Sequence, residues 1–152
     1  MGRGGFTLLE MTIVLIIGGV LMGMAALTFG DVNTKGSARR AAQVFSRDLA
    51  LARSMAARSR EKVVIRFKET ADSLRYTVTT TSGRQLARRE FDGDDEVSLS
   101  AMAIGEAGDS VVFSNRGIAA LGAATGTATF TAGSATYQVT FNGMGASKVG
   151  EL

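Results

Sequence analysis

The sequence predicts an α+β fold: one long N-terminal helix whose second half packs on antiparallel β-sheet, the number of strands suggesting two small sheets. Three observations carry it. From Met11 to Gly30 run 20 residues without a charge, rich in Ile, Leu, Val, Met and Ala. From Ser37 to Lys62 the apolar residues recur at spacings of three and four, the period of a helix face. After Lys62 the period becomes two, in short stretches separated by Gly-rich turns, as in strands. The chain has 152 residues, enough for one core and an attached segment. Its formal net charge is +3.

The N-terminal block is a membrane-segment candidate, because about 20 apolar residues cross a bilayer as a helix. Its odd feature is Glu10, which places a carboxylate inside an otherwise hydrophobic run of 24 residues from Phe6 to Phe29. An acid in lipid costs roughly 2.5 to 3.5 kcal/mol at mid-bilayer, less near a helix end, and calls for a partner. A secretory signal would use Arg3 as its basic region and be cut near Met24-Ala25-Ala26, yet the run is longer than such signals carry and contains an acid. A plain signal anchor accounts for the length but gives Glu10 and the Gly-rich leader no purpose.

A third reading uses every residue. Gly4-Gly5-Phe6-Thr7-Leu8-Leu9-Glu10 resembles the N-terminal signal of type IV pilins and type II secretion pseudopilins, a short basic leader ending in Gly followed by Phe-Thr-Leu-x-Glu and a hydrophobic helix. The resemblance implies a leader of residues 1–5, cleavage between Gly5 and Phe6 by prepilin peptidase on the cytoplasmic side, and N-methylation of Phe6. It also implies a filament-assembly role for Glu10, pairing with the N-terminal amine of a neighbouring subunit. Such a cut makes physical sense of the acid in any case, since it creates a cation at Phe6, four residues from the carboxylate. The bland alternative is a first-turn acid that favours the helix N-terminus electrostatically.

Residues 6–29 are thus expected to form a single-pass inner-membrane and assembly helix, with everything beyond Gly30 in the periplasm. Lys35, Arg39 and Arg40 outnumber Arg3 and the initiator amine, so the positive-inside rule favours the reverse topology; the need for the leader to meet its peptidase in the cytoplasm overrides it. Gly19 and Gly23 form a GxxxG, assigned to helix packing.

Residues 30–62 are expected to hold a bend or weak point at Gly30-Asp31-Val32-Asn33-Thr34-Lys35-Gly36, then the amphipathic helix. Ala38, Ala41, Ala42, Phe45, Leu49, Ala52, Met55 and Ala56 share its apolar face. Were the two segments continuous, Phe6 to about Arg60 would make a rod of roughly 80 Å. Phe45 to Ala56 resembles the L-x-x-A-R-x-x-A stretch of the GspH/FimT subfamily, with Met55 in place of the usual acid; Arg53 and Ala56 are assigned to packing. The helix is basic, with Arg39, Arg40 and Arg47 among its cations, and such a face can meet nucleic acid or lipid.

Residues 63–152 read as a β-rich globular domain. Strands are expected at Val63–Phe67, Leu74–Thr80, Gln85–Phe91, Val97–Ser100, Val111–Phe113, Thr127–Thr131 and Tyr137–Phe141, with Ser82-Gly83 as a turn. Asp92-Gly93-Asp94-Asp95-Glu96 lacks the twelve-position loop and flanking helices of a calcium site and reads as a solvated turn. No phosphate-binding Gly-rich motif occurs.

Function classes narrow accordingly. With no Cys and no His, disulfides, Cys/His zinc sites, thiol nucleophiles and His-based triads are excluded, and no acid/base constellation is recognisable. Neither an enzyme, a cofactor nor a metal is expected. Lack of Cys also removes the C-terminal disulfide loop of many major pilins, which favours a minor subunit. The resemblance implies a minor pseudopilin of a type II secretion system, assembled into a periplasmic pseudopilus for protein export. Its partners would be other pilin or pseudopilin subunits, prepilin peptidase, the inner-membrane assembly platform and membrane lipid. The alternative is a FimT-like minor pilin of a type IV pilus that binds DNA for uptake. That subfamily carries Gly-Arg-x-Arg near its end, where this chain has Gly145-Ala146-Ser147-Lys148. DNA would then have to be met by Arg39, Arg40, Arg47 and Lys148.

Overall fold

A computed structural model describes residues 7–70, 73–91, 97–105, 109–121 and 125–152, and within these the side chains of all but 25–34. Helix α1 (Leu8–Ser59) is followed by nine strands: β1 (Val63–Thr70), β2 (Ser73–Thr80), β3 (Gln85–Glu90), β4 (Ala101–Gly105), β5 (Ser110–Phe113), β6 (Ala119–Ala120), β7 (Thr125–Ala132), β8 (Ala135–Asn142) and β9 (Ser147–Glu151). They form two antiparallel sheets, one in the order β3-β2-β1-β5-β6 and one in the order β4-β7-β8-β9. The α+β architecture with two small sheets is therefore the one expected.

The chain divides into two units, residues 1–33 and 34–152. In the first, α1 begins with Thr7, whose hydroxyl accepts a hydrogen bond from the Glu10 amide at 3.2 Å, the N-cap geometry that satisfies a free helical donor. The expected weak point at 30–36 does not interrupt the helix, which is assigned without a break from Leu8 to Ser59. Isolated glycines lower helix propensity by about 1 kcal/mol each but remove no hydrogen bond, and the chain has no proline that would. The boundary between the two units nonetheless falls inside that patch. Among the described residues no helix is long and apolar enough to cross a membrane; described side chains of the apolar run end at Met24, and its uncharged sequence continues to Gly30.

In the second unit, α1 buries Ala38, Ala41, Ala42, Phe45, Leu49, Ala52 and Ala56, the expected face, with Met55 half-buried at its margin. Four alanines at 38, 41, 42 and 52 leave room for large side chains from the sheets. Phe45 fills that room: its ring centroid lies 5.3 Å from Phe67 and 5.5 Å from Tyr76 on the first sheet, and 5.4 Å from Phe130 and 6.2 Å from Phe141 on the second. One helical side chain thus joins both sheets, in the edge-on and tilted arrangements that aromatic pairs favour. The helix stops at Ser59, not Lys62, because Arg60 adopts the left-handed conformation (φ 56°) that ends a helix.

The strands alternate as expected, with Val63, Ile65, Leu74, Tyr76, Val78, Val111 and Phe113 buried from the first sheet and Met102, Ala128, Phe130, Val139 and Phe141 from the second. Two differences stand out. Val97–Ser100 is not a strand; the ladder begins at Ala101, opposite Thr131, because β7 ends at Ala132 and leaves the preceding residues nothing to pair with. Ser100 is held to the Thr131 carbonyl by its amide and its hydroxyl. Strands β6 and β9 were not expected, one having two residues and the other one apolar side chain, Val149. Both lie at sheet edges. The acidic run 92–96 lies outside the described residues.

Candidate assembly helix and surface sites

Of the residues implicated in processing, Gly5 and Phe6 lie outside the described residues. Glu10 sits in the first turn of α1, exposed, where the free amides of the helix start favour negative charge. The first-turn position therefore suits the electrostatic alternative, and among the described residues no ion pair engages the carboxylate. Beyond Thr12, as far as Met24, the helix is apolar on every side. Ile13, Val14, Leu15, Ile16 and Ile17 occupy more than a full turn of consecutive positions, and each is about half exposed or more, from 48% to 74%. Among the described residues an added Cβ at Gly19 or Gly23 would meet nothing within 4 Å, so the GxxxG positions have room for close approach. A helix apolar all round is one that other helices or lipid must cover.

The cations expected to serve the alternative reading, Arg39, Arg40, Arg47 and Lys148, are all exposed. A 2.7 Å hydrogen bond between the Ser46 and Ser147 hydroxyls ties β9 to α1 and places Arg47 and Lys148 on residues flanking that contact. Arg39 acts on a different group: the Tyr137 hydroxyl, which donates to Glu151 at 3.1 Å. Partial desolvation, then Glu151, push that phenol above its ordinary range, and Arg39 opposes the shift.

Asp48 was not singled out by the sequence reading, and it is the one buried carboxylate among the described residues. Its Oδ2 accepts from the Tyr76 hydroxyl at 2.8 Å and from Arg89 Nε at 3.0 Å, while Oδ1 accepts from an Arg89 terminal nitrogen at 3.3 Å. Burial, reinforced by the Asp48 charge, pushes the Tyr76 phenol far above its ordinary range, and the bond to Asp48 raises Arg89 likewise. The triad clamps α1 to β2 and β3. A signal was present: Asp48 stands three residues after Phe45 and four before Ala52, on the apolar face, while Tyr76 and Arg89 are directly opposed on inward positions of neighbouring strands. The raised phenol stays protonated and keeps its hydrogen bond to Asp48. Among the described residues no group of His, Cys, Asp and Glu could hold a metal ion.

Residues 41–145 match the family described as type II transport protein GspH, spanning most of the chain. The chain belongs to the GspH family. Residues 1–26 of this GspH-family chain match the prokaryotic N-terminal methylation motif. Its fold is similar to that of the type IV minor pilin FimU of Pseudomonas aeruginosa, with a TM-score of 0.52 at 17% identity, over 76% of this chain and 89% of that one. At that identity the likeness bears on the fold, which is pilin-like. No curated protein sequence matches the chain.

Proposed function

We propose that this GspH-family chain is a minor pseudopilin of a type II secretion system. Prepilin peptidase removes residues 1–5 and methylates Phe6. The apolar half of α1 is stored in the inner membrane with the globular unit in the periplasm. The assembly platform then moves the helix from lipid into a helical bundle with other pseudopilins, where Glu10 pairs with the N-terminal amine of a neighbour. The observation that carries this reading is the exposed apolar surface of Leu8–Met22 with one carboxylate, Glu10, in its first turn. Such a surface is soluble only when lipid or helices cover it, and a contact that is not self-complementary propagates as an open filament.

Removal of the chain from its host, followed by complementation, tests the reading. Exported proteins should accumulate in the periplasm without it and leave again once it is restored. Normal export with loss of pili or of DNA uptake would instead place the chain in a type IV pilus.

A further inference from the structure

The outward face of the five-stranded sheet carries a group of cations that the assembly reading does not use. On β1 the outward positions include Arg66 and Lys68, on β2 Arg75 and Thr77, and on β3 Gln85, Arg88 and Glu90. Six of these line a shallow concavity of about 270 Å³: Arg66, Lys68, Arg75, Thr77, Gln85 and Arg88. The strand register fixes their grid. Arg66 stands opposite Thr77, which stands opposite Arg88; one row on, Lys68 stands opposite Arg75, which stands opposite Glu90. With strands about 4.8 Å apart and alternate residues roughly 6.8 Å apart, Arg66 and Arg88 are roughly 10 Å from each other and Lys68 one short step from Arg66. A bulge in the β2–β3 ladder at Leu86 brings Gln85 back to this face, opposite Thr79.

The charge balance on this face is uneven. Glu90 takes two hydrogen bonds from Arg88, at 2.7 and 2.9 Å, and lies 3.5 Å from Arg75, and these arginines hold its carboxyl below the usual range, the Arg88 hydrogen bond most of all. Among the described residues, neither Arg66 nor Lys68 has a carboxylate within ion-pair distance. The Lys68–Arg75 pair sets like charges directly opposite each other, an arrangement that costs stability in an antiparallel sheet. Solvation of an ordinary outer face does not require that repulsion; a multivalent anion relieves it.

We infer that this face binds the phosphate backbone of a nucleic acid strand, through Arg66, Lys68, Arg75 and Arg88. Several cations on a grid of roughly 5 to 10 Å suit a succession of phosphates better than one isolated anion. Three of the four are arginines, whose planar forks match phosphate oxygens in pairs. Thr77 and Gln85 add neutral hydrogen-bonding groups between them. Among the described residues the concavity's lining contains no aromatic side chain on which bases could stack, so the strand is held by its backbone and without preference for sequence. The site is separate from the Arg39, Arg40, Arg47 and Lys148 set, and it stands whether the filament serves export or a pilus.

The test uses the full chain in neutral-detergent micelles, with fluorescence anisotropy of a labelled 20-nucleotide single strand over a range of salt. Wild type should bind at low salt and weaken steeply as salt rises. R66Q/K68Q removes two exposed cations that have no carboxylate within ion-pair distance among the described residues, and should lower affinity by about 25-fold at 0.1 M salt, with the log–log salt slope reduced by about 1.4. E90Q removes the one carboxylate that Arg75 and Arg88 share on this face among the described residues and should bind about fivefold more tightly, a gain that a misfolded variant cannot imitate. Absence of wild-type binding at low salt, or E90Q binding no better than wild type, would overturn the assignment. So would a loss confined to R39Q/R40Q/R47Q/K148Q, which would move the site to the helix. Displacement of the strand by polyglutamate at equal charge concentration would overturn it in favour of an acidic protein partner.

Discussion

Replacing Asp48 with alanine removes the carboxylate on which three elements converge. Tyr76 is fully buried and would keep its hydroxyl with no acceptor, a loss of about 1 to 3 kcal/mol for an orphaned buried polar group. Arg89 would lose two charge-assisted bonds, but its side chain is 45% exposed and water recovers most of that interaction. The sum is about 2 to 3 kcal/mol, below the 3 to 5 typical of breaking a fully buried pair. D48N keeps an acceptor for one partner and should cost about half as much. Y76F removes the donor and should cost about 1 kcal/mol. Because Asp48 and Tyr76 share one bond, the double variant D48A/Y76F should be more stable than the sum of single effects by about 1 kcal/mol. Urea unfolding of the full chain in nonionic detergent, followed by near-ultraviolet circular dichroism of the tyrosines, reads these values. A D48A loss below about 0.5 kcal/mol, or strict additivity with Y76F, would refute the clamp.

The same phenol predicts a pH effect. Its folded pKa lies above the unfolded value of 10.0, so the folded state keeps a proton that the unfolded state releases, and stability should fall as pH rises above about 10. Wild type should lose about 1.4 kcal/mol per pH unit more than Y76F there, as measured by urea midpoints at pH 9 to 11. F45A should cost about 3 to 5 kcal/mol, because it opens a cavity where both sheets meet the helix; calorimetry checks it, and a loss under 1 kcal/mol would show that the sheets pack without it. Gly117 has φ +72° and an added Cβ would stand 3.1 Å from the Arg53 carbonyl oxygen, so G117A should cost about 1 to 3 kcal/mol in the same assay. E10A should still be processed and inserted but should fail to cross-link to neighbouring subunits in membranes, whereas a wild-type level of cross-linking would leave Glu10 a first-turn acid alone.

The helix was legible because its alanines and Phe45 repeat at helical spacing over many turns, and the first three strands because each alternates over five or more residues. The two small sheets followed from strand number and turn spacing. Edge strands were not legible: β9 has one apolar residue and exists through its ladder to β8 and the Ser46–Ser147 bond, both of which are tertiary. The start of β4 is set by where its partner β7 ends, a fact its own residues do not carry. The breaker-rich patch does not end the helix, since its polar residues and two glycines weaken a helix without removing a hydrogen bond, and the boundary between the two units falls within it. Asp48 was visible as a charge among cations, but its role depends on Tyr76 and Arg89, distant in sequence and adjacent only through the β2–β3 register. The outward cations alternate plainly along β1, yet their gathering with Arg88 depends on the same register and on the bulge at Leu86. At the N-terminus the case was reversed: the motif Gly5-Phe6-Thr7-Leu8-Leu9-Glu10 is local, so the sequence alone carried it.

The central claim is that the chain is a processed filament subunit, and its N-terminus tests that most directly. Intact mass and N-terminal sequencing of membrane-extracted protein, made with and without prepilin peptidase and with a Gly5 substitution, give the answer. The account predicts a chain that begins at methylated Phe6 only when the peptidase is present and Gly5 is intact. A chain that still begins at Met1, or one that begins after Ala25 or Ala26, would contradict it and return Met11–Gly30 to a plain anchor or a secretory signal.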